Sequence, residues 1–131
     1  MTEFETRWLA DEPDDVAPDT SEIRLLARTT RASMAHGTLP PNGVSLAIRH
    51  RHVEEVWFVV SGHAQIWRQL NGQKEVILAG PGASLSIPPG THFQFRTVGD
   101  EPFRFIMCTM PPWPGANEAI RVADHWPVSR G

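Results

Sequence analysis

Apolar and polar positions alternate with a period of two along this chain, in short bursts that begin at Ile23 and end at Val122. Alternation of this kind sends successive side chains to opposite faces of an extended strand. It predicts strands over 23–27, 32–37, 44–52, 56–60, 64–69, 75–78, 83–87, 92–96, 103–109 and 119–122. Turn-forming clusters separate them: Pro40-Pro41-Asn42-Gly43, Ser61-Gly62, Asn71-Gly72, Gly80-Pro81-Gly82, Pro88-Pro89-Gly90 and Gly99-Asp100. Asn71-Gly72 is the strongest hairpin signal, because both residues accept the positive φ of a type I′ turn. With no long amphipathic helix and no internal repeat in the pattern, the fold class is all-β, a sandwich or barrel of short strands.

The phase of the alternation also selects candidate chemistry. Across 44–52, Val44, Leu46, Ile48, His50 and His52 take one face, and Ser45, Ala47, Arg49 and Arg51 take the other. Two imidazoles therefore leave the apolar face of one predicted strand. A buried polar group without a partner costs about 1–3 kcal/mol, so this pair calls for hydrogen bonds or a metal. Glu55, in phase with Trp57 and Val59, is the inward acid of the next strand, whereas Glu54 faces solvent. His92 opens a strand on which Phe93 and Phe95 compete for the core face. His36, His63 and His125 show no partner in the sequence.

Length and composition narrow the picture further. A chain of 131 residues, 40% hydrophobic and 21% charged, has the size and balance of one globular domain. No apolar run approaches the ~20 residues of a membrane span, and Met1–Glu5 lacks the basic and apolar regions of a secretory signal. A soluble protein with a cytoplasmic location is expected. Net charge of -3 without a Lys/Arg cluster argues against nucleic acid as a partner. Cys108, the single cysteine, excludes an intrachain disulfide and reads as a small buried hydrophobe. Residues 1–21 form an acidic N-terminal arm in which Phe4, Trp8 and Leu9 are apolar exceptions. Residues 22–110 form the barrel, and the Pro-rich 111–131 supplies a closing loop and a tail packed on it. Uncovered sheet edges and the apolar residues of the arm predict a homodimer with the arm laid across the partner.

Gly43, His50-x-His52, Glu55 and Gly62, followed by Gly82, Pro88, Gly90 and His92, resemble the two motifs of the cupin superfamily. The resemblance spans roughly 23–109 and implies a single antiparallel jelly-roll β-barrel, the double-stranded β-helix. It also implies a divalent metal (Zn, Mn, Fe or Ni) held by His50, His52, Glu55 and His92, with Glu55 as ligand or catalytic base. A small-molecule substrate would bind beside it, as in cupin isomerases, dioxygenases and lyases. The spacings differ from the family pattern in the second motif and between His52 and Glu55. Aligned back from Glu55, the first two ligand positions fall on Ile48 and His50; aligned from Phe95-Arg96, the last falls on Phe93. A second reading is therefore a metal-free binding or sensor cupin, in which His50, His52 and Arg96 donate hydrogen bonds to a ligand.

Overall fold

A computed structural model describes residues 4–128. Among the described residues eleven strands follow one another: β1 (Asp15–Val16), β2 (Glu22–Arg28), β3 (Ser33–Leu39), β4 (Ile48–His50), β5 (Glu54–Ser61) and β6 (His63–Leu70). Then come β7 (Gln73–Ala79), β8 (Ser84–Ile87), β9 (His92–Val98), β10 (Phe103–Met110) and, after a 3-10 turn at Ala116–Glu118, β11 (Ala119–Arg121). They form two sheets whose neighbouring strands pair antiparallel, one ordered β1-β2-β3-β10-β5-β8 and the other β11-β4-β9-β6-β7. The chain is all-β, as its alternation predicts. Among the described residues no helix is long and apolar enough to cross a membrane.

Turn chemistry sets the register. Asn71 and Gly72 both take positive φ and join β6 to β7 in a two-residue hairpin. Gly62, at φ 76°, turns β5 into β6, where a Cβ would stand 2.2 Å from the Pro102 carbonyl oxygen; no other residue fits there.

The inner faces meet in a core of aromatic side chains. Trp57 stacks on Phe105 with centroids 4.2 Å apart, Phe103 stacks on Phe105 at 5.2 Å, and Phe93 and Phe95 meet Trp57 edge-on. Leu39, Val59, Ile66, Leu85 and Ile87 fill the remaining space. Aromatic residues bury large apolar areas and pack in offset or T-shaped pairs, so a few of them close a barrel of this size.

The strand predicted over 44–52 is interrupted. Val44 makes only an isolated bridge to Arg96, regular pairing is confined to Ile48–His50, and residues 51–52 bend. Neither is the end of the arm fully solvated. Asp15–Val16 pairs with β2, while Asp19 and Ser21 are buried, the Asp19 carboxylate accepting from the Ser21 amide at 2.9 Å and its hydroxyl at 2.6 Å.

Candidate functional site

His50 ends β4 and Glu55 is the second residue of β5, and both side chains enter one end of the core. His50 Nδ1 lies 3.6 Å from Glu55 Oε2, beyond hydrogen-bond range, and has no hydrogen-bond partner among the described residues. The imidazole is wedged edge-on between Phe93, at 5.4 Å between centroids, and Trp113, at 5.1 Å. Glu55 Oε1 accepts the Trp57 indole N–H at 2.6 Å.

This apolar enclosure shifts both groups toward neutrality. Burial pushes the Glu55 carboxyl up to about 7, against the lowering effect of the Trp57 hydrogen bond and with a further rise from buried Asp19. Burial pulls the His50 imidazole down to about 4, only partly countered by the negative charge of Glu118. Near neutral pH the imidazole is uncharged and the carboxyl divides between its two forms. The pair thus sets an uncharged imidazole beside a carboxyl whose charged form burial disfavours.

Trp113 belongs to the Pro-rich segment after β10. Its amide donates to Ser33 Oγ at 3.0 Å, Ser33 hydrogen-bonds Thr109, and Thr109 lies directly across the β5–β10 ladder from Glu55. Ser33, from a distant strand, thus ties Thr109 and the loop together and holds Trp113 against His50.

The remaining predicted ligands stand elsewhere, and the inward phase expected of His52 is corrected. Its side chain is 79% exposed, with Nδ1 3.3 Å from Glu118 Oε1. The cause is the bend after His50, where the Glu118 carboxylate accepts the amides of both His52 and Val53, the latter at 2.7 Å. Burial alone would raise the Glu118 carboxyl, but these hydrogen bonds hold it below the usual range. His92 is partly buried opposite Gln69, on the face of β9 that points away from the core, because Phe93 and Phe95 take the inner face. Arg96 shares that outer face; its Nε donates to Gln65 at 2.7 Å and its guanidinium lies 4.4 Å over the Trp126 ring, so it does not line the barrel. Among the described residues no group of three or more His, Cys, Asp or Glu is arranged to hold a metal. The inward positions that would complete a ligand set with His50 and Glu55 carry Ile48 and Phe93, both fully buried. Two donors, one already engaged by an indole, do not make the three- or four-ligand centre usual for a divalent transition metal.

Sequence reasoning read the Pro-rich segment that carries Trp113 as a closing loop, but singled out neither Trp113 itself nor Glu118 as a site residue. Neither has a local signature, since each acts on residues more than sixty positions away.

The model of the cupin domain matches residues 35–109, more than half of the chain. The chain belongs to the cupin family. This cupin is 24% identical over 103 residues to an uncharacterised protein of Methanocaldococcus jannaschii, covering 75% of this chain and 79% of that one. A conserved protein with a double-stranded β-helix domain from Klebsiella pneumoniae superposes with a TM-score of 0.64 at 21% identity, over 91% of both chains. Oxalate decarboxylase from Bacillus subtilis superposes at 0.77 with 14% identity, covering 97% of this cupin but 35% of the larger enzyme. At these identities the two solved structures establish the shared fold.

Proposed function

We propose that this cupin is a metal-free binding protein for a small polar molecule, taken up at the barrel end where Trp113 covers His50 and Glu55. The observation that carries the reading is the pairing of Ile48 and Phe93 with His50 and Glu55 at the inward positions. A small molecule bearing a hydroxyl, amide or carboxyl group supplies what the pair lacks, a partner for the buried His50 Nδ1 and a proton donor or acceptor for Glu55. The aromatic walls Phe93 and Trp113 give such a ligand apolar surface to stack on. Entry requires Trp113 to swing aside, with its amide leaving Ser33 Oγ.

Oxalate decarboxylase of Bacillus subtilis has Mn(II) centres. The metal-dependent enzyme implied by the sequence motifs is the competing reading, and metal content separates the two. Protein purified without added metal is expected to contain less than stoichiometric Mn, Fe, Ni or Zn by elemental analysis. No melting shift is expected with any of these ions. A screen of small hydroxy acids, amides and phenols, followed by Trp fluorescence, is expected to find saturable binders that His50→Ala and Glu55→Gln abolish. Stoichiometric metal that disappears in His50→Ala would overturn the proposal.

A further inference from the structure

The outer face of β2, β3 and β10 carries a polar cluster that the barrel end does not use. Register sets Glu22, Thr38 and Arg104 side by side in one row across these strands, and Arg24, His36 and Ile106 in the next. The rows point outward, because Gly37, between His36 and Thr38, lies against Phe105 of the core. Above them is a cavity of about 430 Å³, with Leu9, Ala10 and Asp11 of the N-terminal arm as one wall. Arg24 fixes that wall, its Nε and Nη2 donating to the carbonyls of Ala10 and Asp11 at 2.9 and 2.8 Å. The volume is that of a small-ligand pocket.

Two groups lining this cavity have nothing to bond. His36 and Thr38 are each more than nine-tenths buried, yet His36 Nδ1 and Thr38 Oγ1 have no hydrogen-bond partner among the described residues. Buried polar side-chain atoms are nearly always paired. Two orphans on one strand, two residues apart and facing one cavity, point to a partner that the chain itself does not supply. An imidazole with its proton on Nδ1 and a hydroxyl can both donate, so a single acceptor satisfies them together.

Charge selects the kind of acceptor. Arg24 spends its guanidinium on the arm and on Glu22, whose Oε1 lies 3.7 Å from Nη1. Asp11 brings a second carboxylate to the cavity, on an exposed residue of the arm. Arg104, next to Thr38 in the register, forms no ion pair among the described residues. At His36 the positive charges prevail. Burial first, and then Arg24 and Arg104, hold its imidazole below the usual pKa, whereas no carboxylate raises it.

We propose that this cavity is an oxyanion site, where a carboxylate or phosphate group of a small molecule accepts from His36 Nδ1 and Thr38 Oγ1 and pairs with the Arg104 guanidinium. Guanidinium meets either group through two parallel hydrogen bonds. The site lies outside the barrel, on the face of the sheet away from the core, so it stands or falls independently of the His50–Glu55 end.

Calorimetric titration of the full chain with inorganic phosphate, and separately with acetate, tests the site and tells the two anion classes apart. Saturable binding of at least one is expected at low ionic strength, and the tighter anion names the class. Arg104→Gln should weaken it about tenfold or more, and Thr38→Val about three- to tenfold. Arg31→Gln removes an exposed charge on the turn between β2 and β3, outside the cavity, and should change affinity less than about twofold. Bound anion should also raise the pH midpoint of the His36 ring in proton NMR, since a neighbouring negative charge favours the imidazolium. Should Thr38→Val fail to fold, the exposed Arg104→Gln decides. Absence of saturable binding by both anions overturns the proposal, and so does equal weakening by Arg104→Gln and Arg31→Gln. A His36 Nδ1 already hydrogen-bonded in anion-free protein, seen by nitrogen NMR of the ring, overturns it as well.

Discussion

His50 Nδ1 and Glu55 Oε2 face each other across 3.6 Å inside an aromatic enclosure, close enough to interact and too far apart to hydrogen-bond. Had the imidazole carried a proton and the carboxylate a charge, an ion pair would draw them together; burial instead favours the neutral form of each.

That neutrality predicts opposite pH slopes for the two residues. Between pH 4.5 and about 7 the folded chain holds a proton on Glu55 that the unfolded chain releases, so Glu55 makes stability fall as pH rises through this window. Between about 4 and 6.5 only the unfolded chain protonates His50, so His50 makes stability rise. In the wild type the slopes offset, leaving a decline near neutrality. Glu55→Gln removes one of them. Its stability relative to wild type should improve by about 3 kcal/mol from pH 4 to pH 8, measured by urea denaturation. A pH-independent difference would refute the raised Glu55 carboxyl.

Trp57 is the donor that keeps Glu55 from rising higher. In Trp57→Phe the indole N–H at 2.6 Å disappears while most of the ring stack on Phe105 remains. The Glu55 carboxyl should then titrate above its wild-type midpoint, observed by carbon NMR of the side-chain carboxyl. An unchanged or lower midpoint would assign the shift to another cause.

Glu118→Ala tests the turn that sends His52 outward. The amides of His52 and Val53 lose a common charged acceptor, and Val53 is fully buried. Stability should drop by roughly 2–3 kcal/mol. The amide of Val53 should lose its protection against hydrogen exchange, while residues of β6 and β7 keep theirs.

Gly37→Ala tests the closeness of β3 to the aromatic core. The added Cβ would lie 2.5 Å from Phe105 Cζ, on a ring held between Trp57 and Phe103. A loss of about 1–3 kcal/mol is expected from overpacking. Phe105→Leu, costly by itself, should lose less in the Gly37→Ala background than alone, and a double-mutant cycle measures the coupling. Additive losses would mean that the ring moves aside freely.

The sequence by itself determined the all-β fold and most of its strands, because alternation and turn residues are local properties. Asn71-Gly72 specifies its hairpin from two residues, and Phe93 and Phe95 claim the inner face of β9 by their phase. The same reading put Glu55 inward with Trp57 and Val59. Only the tertiary structure decided where the alternation through 44–52 stops. A carboxylate from Glu118 captures two amides after His50 and turns His52 to solvent, an interaction between segments 66 residues apart that no periodicity encodes. Trp113 over His50 and the rows that bring His36 and Thr38 beside Arg24 and Arg104 likewise arise when distant strands come into register. Backbone direction is written in nearest neighbours, whereas enclosure, and with it the protonation of His50 and Glu55, depends on which remote side chains exclude water.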